Sequence, residues 1–239
     1  MTELLFRNDS YLREFEATIE EVNDNLLVLD KTAFSPRGGG LSSDVGKLIL
    51  ENGVELDVLE VFTKSGKVFH KISDTSSEIK KGTAVKGIIE WERRYKQMRL
   101  HTLLHIISSI LYHKYGTTVT GGDIKPEKSR VDFDIDHLRQ ERLQEIESEV
   151  NSIIKGDHEV TVSYLEREEA LKDPDLIRTK VNLIPETVKI LRIVDIDSVD
   201  RQADGGVHVQ STREIGVFKP LKAENRGKNN KRLYFTVEP

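Results

Sequence analysis

Two histidine-bearing segments, about a hundred residues apart in the chain, together have the composition of one metal site. His101 and His105 lie four positions apart in a stretch of helical composition, so both imidazoles project from one helix face and can reach a single ion. Asp204 and His208 flank two glycines in a segment predicted to turn. Three nitrogens and one carboxylate oxygen complete the roughly tetrahedral shell that zinc prefers. Neither segment alone indicates a metal, and the prediction depends on their pairing.

Neighbouring residues narrow the chemistry of this site. Thr102 rather than glutamate follows His101, so the pair departs from the His-Glu-x-x-His pattern of zinc proteases and lacks their general base. The glycines at 38–40 are not followed by the Lys-Ser/Thr ending of a phosphate-binding loop, which argues against nucleoside triphosphate binding. The chain has no cysteine, so any zinc here is bound by nitrogen and oxygen alone.

Composition and charge limit the partners and the compartment. The net charge of −5 over 239 residues argues against gripping nucleic acid by bulk electrostatic attraction. Basic runs at 93–99 and 226–232 are candidate local contacts, although a solvated helix face and a hairpin tip explain them more simply. No apolar run approaches the roughly 20 residues of a membrane helix, and the N-terminus lacks the pattern of a secretory signal. The absence of cysteine is compatible with a reducing cytosol.

The pattern of the first ninety or so residues is typical of short strands separated by turns. Phe15, Ala17 and Ile19 alternate with polar residues, and the sequence around Asn52 and Gly53 predicts a hairpin. Several short strands at this spacing predict a small barrel or sandwich. We therefore expect a β-barrel-like domain at 1–89.

From Glu90 the pattern changes to helices mixed with antiparallel strands. Apolar spacing predicts a helix from Trp91 to about Tyr115, and a second, highly charged helix is predicted at about 136–154. Strands are predicted at 130–135, 159–164 and 188–194, a short acidic helix at about 166–171, and a closing hairpin of 215–218 with 232–237. The fold class is therefore α+β, with a second domain at 90–239.

Three segments resemble one known family. Residues 91–105 resemble the segment that opens the editing domain of alanyl-tRNA synthetases and of their free-standing relatives, and residues 200–209 resemble the second segment of the same site. Residues 29–46 provide a third match. The family usually has cysteine and threonine where Asp204 and Val207 stand, and tyrosine and glutamine where Ser35 and Leu41 stand. The resemblance covers nearly the whole chain and is closest to the medium-length AlaX-type trans-editing proteins.

The resemblance implies a cytoplasmic hydrolase that removes a wrong amino acid, chiefly serine and sometimes glycine, from tRNA(Ala). A pocket built around the methyl group of alanine cannot strongly reject serine, which adds a hydroxyl, or glycine, which lacks a methyl. A second, hydrolytic sieve supplies the missing discrimination. The cofactor implied is Zn²⁺, and the ligands implied are His101, His105, Asp204 and His208.

The resemblance also implies roles for residues outside the metal shell. Gln202, together with His101 and His105, is a catalytic candidate because it lies two residues before Asp204, although a polar strand-end residue explains it as well. Thr32 matches the threonine through which the family is thought to sense the serine hydroxyl. A loop over the editing site is the role implied for the last group of candidate substrate-binding residues, which are Gly38, Gly39 and Gly40.

Two other functions stay open on the sequence alone. Replacement of the usual cysteine by Asp204 also fits a degenerate site in a non-catalytic zinc- or RNA-binding protein. A zinc hydrolase of free aminoacyl or peptide esters is a further alternative. In the family reading, zinc either activates the water or anchors the amino group of the substrate.

Overall fold

A computed structural model of the chain describes residues 2–73, 79–135, 139–178, 188–227 and 230–239. The chain divides into two compact units, Met1–Lys96 and Gln97–Pro239. The predicted division into domains at 1–89 and 90–239 stays a prediction. Among the described residues, no helix combines the length and the apolar character needed to cross a membrane.

The first unit is built around a closed six-stranded barrel. The strands are β1 (Glu3–Leu4), β2 (Glu14–Asn23), β3 (Leu26–Leu29), β4 (Lys31–Thr32), β5 (Gly46–Leu50), β6 (Glu55–Lys64), β7 (Lys67–Ile72) and β8 (Ala84–Ile89). The ring order is β2-β3-β7-β6-β5-β8, and β8 closes the ring by pairing with both β2 and β5. β1 and β4 form a separate short parallel pair. A single turn of 3₁₀ helix spans Leu5–Arg7.

Alternation of apolar and polar residues determines which side chains fill this barrel. Phe15, Ala17 and Ile19 of β2 are buried while the residues between them are exposed, as expected for a strand with one face toward a core. Phe34 packs edge-on against Phe15 in the same core. The predicted barrel is therefore confirmed.

The second unit combines helices with two antiparallel sheets. Its elements are α1 (Trp91–Tyr115, which begins in the first unit), β9 (Val119–Asp123), β10 (Ser129–Phe133), α2 (Gln140–Lys155), β11 (Val160–Glu166), α3 (Arg167–Ala170), β12 (Ile190–Ile196), β13 (Asp200–Ala203), β14 (Val217–Asn225) and β15 (Lys231–Glu238). Single turns of 3₁₀ helix span Pro174–Leu176 and Thr212–Ile215. The strand orders of the two sheets are β14-β15-β10-β9 and β11-β12-β13. The predicted α+β class is confirmed.

Helix α1 has the bounds that its apolar spacing predicts. Its leucines, lysines and arginines are good helix formers, and it ends just before Gly116, whose φ of 61° suits a residue without a Cβ. From Gln97 to Leu111 nearly every position is buried, including the polar residues of one face. A helix buried on all sides needs partners for its polar side chains, and residues 199–208 supply partners for four of them.

The remaining elements agree with the predictions in kind and differ in their bounds. The closing hairpin is β14 with β15, joined antiparallel from Val217 opposite Glu238. The start of the helix predicted at about 136–154 falls partly outside the described residues, because 136–138 are not described. Strand β9 was not predicted, since it contains two adjacent glycines and glycine is depleted in strands.

Candidate metal centre

The four residues predicted to hold a metal come together in the second unit. His101 and His105 lie one turn apart on α1, while Asp204 and His208 belong to the loop that follows β13. One candidate ligand atom from each residue lies within 4.8 Å of all the others. We call these four side chains the ligand cluster. Residues about a hundred positions apart thus form one site, as the pairing of the two segments predicts.

All three histidines present the same ring nitrogen to the carboxylate of Asp204. Nε2 of His208 is 3.2 Å from Oδ1 of Asp204, and Nε2 of His101 is 3.5 Å from Oδ2. Nε2 of His105 is 3.9 Å from the same Oδ2. The ring of His101 stacks on that of His208, with centroids 4.2 Å apart. Three Nε2 atoms and one carboxylate therefore converge on a common point.

The opposite ring nitrogen of each histidine bonds to a different kind of acceptor. Nδ1 of His101 lies 3.3 Å from the carbonyl oxygen of Val207, and Nδ1 of His208 lies 3.1 Å from Oγ1 of Thr102. Nδ1 of His105 lies 3.0 Å from Oδ2 of Asp200. Each acceptor favours a proton on Nδ1, which makes Nε2 the nitrogen that would bind a cation.

Burial and charge have opposite effects on the pKa values of these groups. Burial, opposed by the carboxylate of Asp204, lowers the pKa of His101 to about 4, and burial lowers the pKa of His208 well below its usual value. Burial also acts to lower the pKa of His105, but hydrogen bonds to Asp200 and Asp204 outweigh it and raise the pKa to about 9. Burial acts to raise the pKa of Asp204, yet the surrounding histidines hold it well below its usual range.

Backbone and side-chain contacts fix the loop that carries Asp204. Its backbone N–H donates to the carbonyl of Arg192 at 3.0 Å, and the Arg192 guanidinium donates to the Asp204 carbonyl at 3.0 Å. Its Oδ1 accepts the backbone N–H of Gly206 at 2.6 Å. The side chain of Ser211 caps the short helix that follows, and Glu214 completes a capping box. Asp204 is therefore held beside the three histidines, although its side chain is one-quarter exposed.

The donor set determines which ions suit this site. Three imidazole nitrogens and one carboxylate oxygen are ligands that a divalent transition ion accepts, and thiolate is absent because the chain has no cysteine. The residues present thus fit a bound metal ion.

Gln202 contacts the ligand cluster through an intermediate residue. Its Nε2 donates to Oδ2 of Asp200 at 2.8 Å, the same oxygen that accepts from His105. Sequence reasoning missed Asp200. Asp200 and Gln202 are two positions apart in β13 and therefore lie on the same face of the strand, so the two residues could have been paired on that basis. It also missed Thr102, which accepts from His208 and donates to the Met98 carbonyl.

Thr32 lies in the first unit, fully buried at the end of β4. Its Oγ1 is 2.8 Å from Nε2 of His70, which is also fully buried, and it accepts the backbone N–H of Phe34 at 3.1 Å. Burial lowers the pKa of His70 to about 4 against an opposing bond to the Leu27 carbonyl, so this ring is neutral. His70 was not among the predicted site residues.

The glycines at 38–40 form a tight turn at the barrel. Gly38 and Leu41 exchange both backbone hydrogen bonds, at 3.2 and 2.9 Å. Gly39 and Gly40 have φ values of 58° and 89°, a region that side chains with a Cβ rarely adopt. A Cβ at Gly38 would meet nothing within 4 Å, and its φ is not positive. Two of the three glycines are therefore required by the turn.

Comparison with known proteins agrees with this geometry. The profile described as tRNA synthetases class II (A) matches residues 7–93, and the profile described as Threonyl and Alanyl tRNA synthetase second additional domain matches residues 191–234. A protein from Saccharolobus solfataricus, named alanyl-tRNA editing protein AlaX-M, is 44% identical over the full length of both chains.

The chain belongs to the AlaX-M family of alanyl-tRNA editing proteins. The family resemblance predicted from the sequence is therefore confirmed, and membership makes the chain an editing hydrolase. The AlaX-M protein of Methanosarcina barkeri is 39% identical over 99% of both chains. An alanine–tRNA ligase from Methanococcus vannielii is 37% identical over 99% of this chain, which covers only 26% of that ligase.

Proposed function

We propose that this AlaX-M family member hydrolyses the ester bond of tRNA(Ala) mischarged with serine or glycine, with zinc held by the ligand cluster. The observation that carries the proposal is the convergence of three histidine Nε2 atoms on Asp204. Relatives named alanyl-tRNA editing protein AlaX-M align with the whole chain, which supports an editing function for it. With an aminoacyl-tRNA as substrate, we expect the protein to act in the cytoplasm.

Zinc is the ion that this donor set supports best. Imidazole nitrogen and carboxylate oxygen are common zinc ligands, and four of them make the tetrahedral shell typical of the ion. Zinc bound there would supply a Lewis acid that polarises the ester carbonyl or orients the substrate. Asp204 is the ligand best able to yield a position to substrate, because it is the one member of the cluster whose side chain is substantially exposed.

Gln202 is proposed to orient the attacking water. Its amide nitrogen is committed to Asp200, so its carbonyl oxygen Oε1 is the group left to accept a hydrogen bond. An acceptor there can hold a water with its lone pair directed at an ester carbon, which lowers the entropic cost of attack. His101 and His105 contribute by holding the metal.

Thr32 is proposed to recognise the serine side chain, and the turn at Gly38, Gly39 and Gly40 to contact the substrate. A hydroxyl partner gives serine a hydrogen bond that alanine cannot make, which is the preference that editing requires. Thr32 has no exposed surface in this conformation, so its contact with a substrate requires neighbouring groups to move.

The decisive experiment measures hydrolysis of separately prepared seryl-, glycyl- and alanyl-tRNA(Ala). We expect rapid loss of the first, slower loss of glycine and little loss of alanine, with activity abolished by a chelator and restored by Zn²⁺. The His105→Ala variant should be inactive, and His113→Ala, which changes an exposed histidine of the same helix, should retain activity.

Each of the two alternative functions gives a distinct result. tRNA binding without hydrolysis would indicate a non-catalytic binding protein. Equal hydrolysis of seryl-tRNA(Ala) and an RNA-free serine ester would indicate a general esterase. Either result would contradict the proposal.

A further inference from the structure

The three histidines of the ligand cluster differ in the group that accepts a hydrogen bond from Nδ1. His101 bonds to a backbone carbonyl and His208 to a hydroxyl, whereas His105 bonds to the carboxylate of Asp200. A charged acceptor binds an imidazole N–H more strongly than a neutral one, and it makes the opposite nitrogen a better electron donor. His105 therefore has a support that its two neighbours lack.

Asp200 has little freedom to adopt another orientation. Its side chain is fully buried, and Oδ1 accepts from Nη1 of Arg178 at 2.6 Å. Oδ2 accepts from both His105 and Gln202, at 3.0 and 2.8 Å. Two oxygens thus receive three donors, which come from α1, from β13 itself and from Arg178, 22 residues earlier in the chain.

One face of α1 contacts Asp200, its neighbour Val199 and Arg178. His105, Ser109 and Tyr112 follow one another at helical spacing, so they form a single stripe. Ser109 donates to the carbonyl of Val199 at 2.6 Å, next to Asp200. The guanidinium of Arg178 lies over the ring of Tyr112, 4.8 Å from its centroid. The helix that carries the metal ligand therefore also holds the residues that support it.

Arg178 is buried at a cost that its contact with Asp200 offsets. Its side chain is 5% exposed, and among the described residues its Nε has no hydrogen-bond partner. A buried donor without a partner is unfavourable, so the charged bond to Asp200 and the contact with Tyr112 must outweigh it. Such a residue is unusual unless its charge is needed at that position.

We propose that Asp200 is a positioning residue for the metal centre: it fixes the ring of His105 with the proton on Nδ1, and Arg178 holds Asp200 in that role. The inference rests on the proposed metal site, because it assigns a function to the partner of a ligand. Asp200 itself binds no metal in this scheme, since it faces the ring nitrogen that points away from the ligand cluster. Its contribution is to metal affinity.

The test compares Asp200→Asn with Asp197→Asn, the same change at an exposed aspartate of the turn before β13. Zinc affinity is measured by competition with a chromophoric chelator, and the histidine tautomers by long-range ¹H–¹⁵N NMR of the zinc-loaded protein. We expect Asp200→Asn to weaken zinc binding about 10- to 100-fold, and Asp197→Asn to leave it unchanged. Arg178→Gln should give a smaller loss, because Gln202 and His105 still bind Asp200.

The NMR measurement separates positioning from a general effect on folding. In the unaltered protein the His105 Nδ1 proton should resonate far downfield, and it should move upfield in Asp200→Asn, while His101 and His208 change little. A His105 proton on Nε2 in the unaltered zinc-loaded protein would overturn the inference without any variant. So would equal zinc affinity in Asp200→Asn and Asp197→Asn. Failure of the unaltered protein to bind zinc would instead overturn the metal site itself.

Discussion

Nε2 of His70 accepts the hydroxyl proton of Thr32 in the interior of the barrel. The direction of this bond follows from the rest of the ring, because Nδ1 of His70 donates to the carbonyl of Leu27 at 3.3 Å. The hydroxyl oxygen of Thr32 also accepts the backbone N–H of Phe34. One lone pair is left on Thr32, so a serine side chain bound there would have to act as the donor.

The first prediction concerns the hydroxyl of Thr32. Thr32→Val keeps the shape of the side chain but leaves Nε2 of His70 without a donor, which should lower the free energy of unfolding by about 1–3 kcal/mol. Under the proposed function, the same change should lower activity on seryl-tRNA(Ala) by an amount also worth about 1–3 kcal/mol. Activity on glycyl-tRNA(Ala) should change much less. Thr32→Ser, which keeps the hydroxyl, is the control. An unchanged ratio of serine to glycine rates would remove Thr32 from the specificity site.

A second prediction concerns acid stability. The pKa of His70 is about 4 in the folded protein and near 6.5 when the chain is unfolded. Above pH 6.5 the ring is neutral in both states and has no effect. As the pH falls from 6.5 to 4, the unfolded state binds a proton that the folded state does not, so stability is lost. At about 1.4 kcal/mol for each pKa unit, this loss is about 3 kcal/mol.

The measurement is the urea midpoint as a function of pH, compared with that of His70→Gln. The variant should be less sensitive to pH between 6.5 and 4, whatever its stability at neutral pH. His113→Gln, at an exposed position, should follow the unaltered protein. Parallel curves for the unaltered protein and His70→Gln would show that His70 is not the group responsible.

Metal content gives a third prediction. The purified protein should carry close to one zinc, and His101→Ala or His105→Ala should remove most of it, because affinity depends on the number of ligands. Elemental analysis of the dialysed protein is the measurement, with His113→Ala as the matched control. Full occupancy in the His101→Ala, His105→Ala double variant would disprove the assignment.

Replacement of Asp204 provides a fourth prediction. Asp204→Ala should weaken zinc binding, since it removes the carboxylate on which all three Nε2 atoms converge. Asp204→Cys should keep the fold and bind zinc at least as tightly, because thiolate is a softer and stronger donor. Chelator competition gives both affinities. If Asp204→Ala bound zinc as tightly as the unaltered protein, Asp204 would not be a ligand.

The fifth prediction compares two ion pairs of the first unit. Arg94 and Asp44 are fully buried, and the guanidinium also donates to the Ser10 carbonyl at 2.9 Å. Asp44→Asn should lower the free energy of unfolding by about 3–5 kcal/mol, since it leaves a buried charge without its partner. Glu55→Gln, which breaks a half-exposed pair with Lys47, should lower the free energy of unfolding far less, because solvent screens this pair. Similar losses from the two changes in urea unfolding would contradict this account.

Much of the fold and part of the ligand cluster could be predicted from local sequence patterns. Alternation in β2 predicts the barrel core, and the spacing of apolar residues predicts both ends of α1. His101 and His105 could be paired from helical periodicity. Their association with Asp204 and His208 followed from resemblance to a known family together with the chemistry of the donors.

The contacts that hold His105 and Thr32 could not be found in this way, because their partners are distant in the chain. His105 and Asp200 are 95 residues apart, and Thr32 and His70 are 38 apart. Periodicity predicts which residues share a face of one helix or strand. It does not predict which residues of two different elements are in contact. Buried polar groups such as Arg178 also contradict the usual preference of their residue type, so composition predicts them to be exposed.

The absence of sulfur from the ligand cluster has a consequence for resistance to oxidants. Peroxide and disulfide reagents attack metal centres through thiolates, which they convert to sulfenic acids or mixed disulfides. Asp204 and the three imidazoles offer no such target, and the chain has no cysteine elsewhere. A metal bound by these four residues should therefore stay bound under oxidative conditions that would open a centre with a cysteine in the same position.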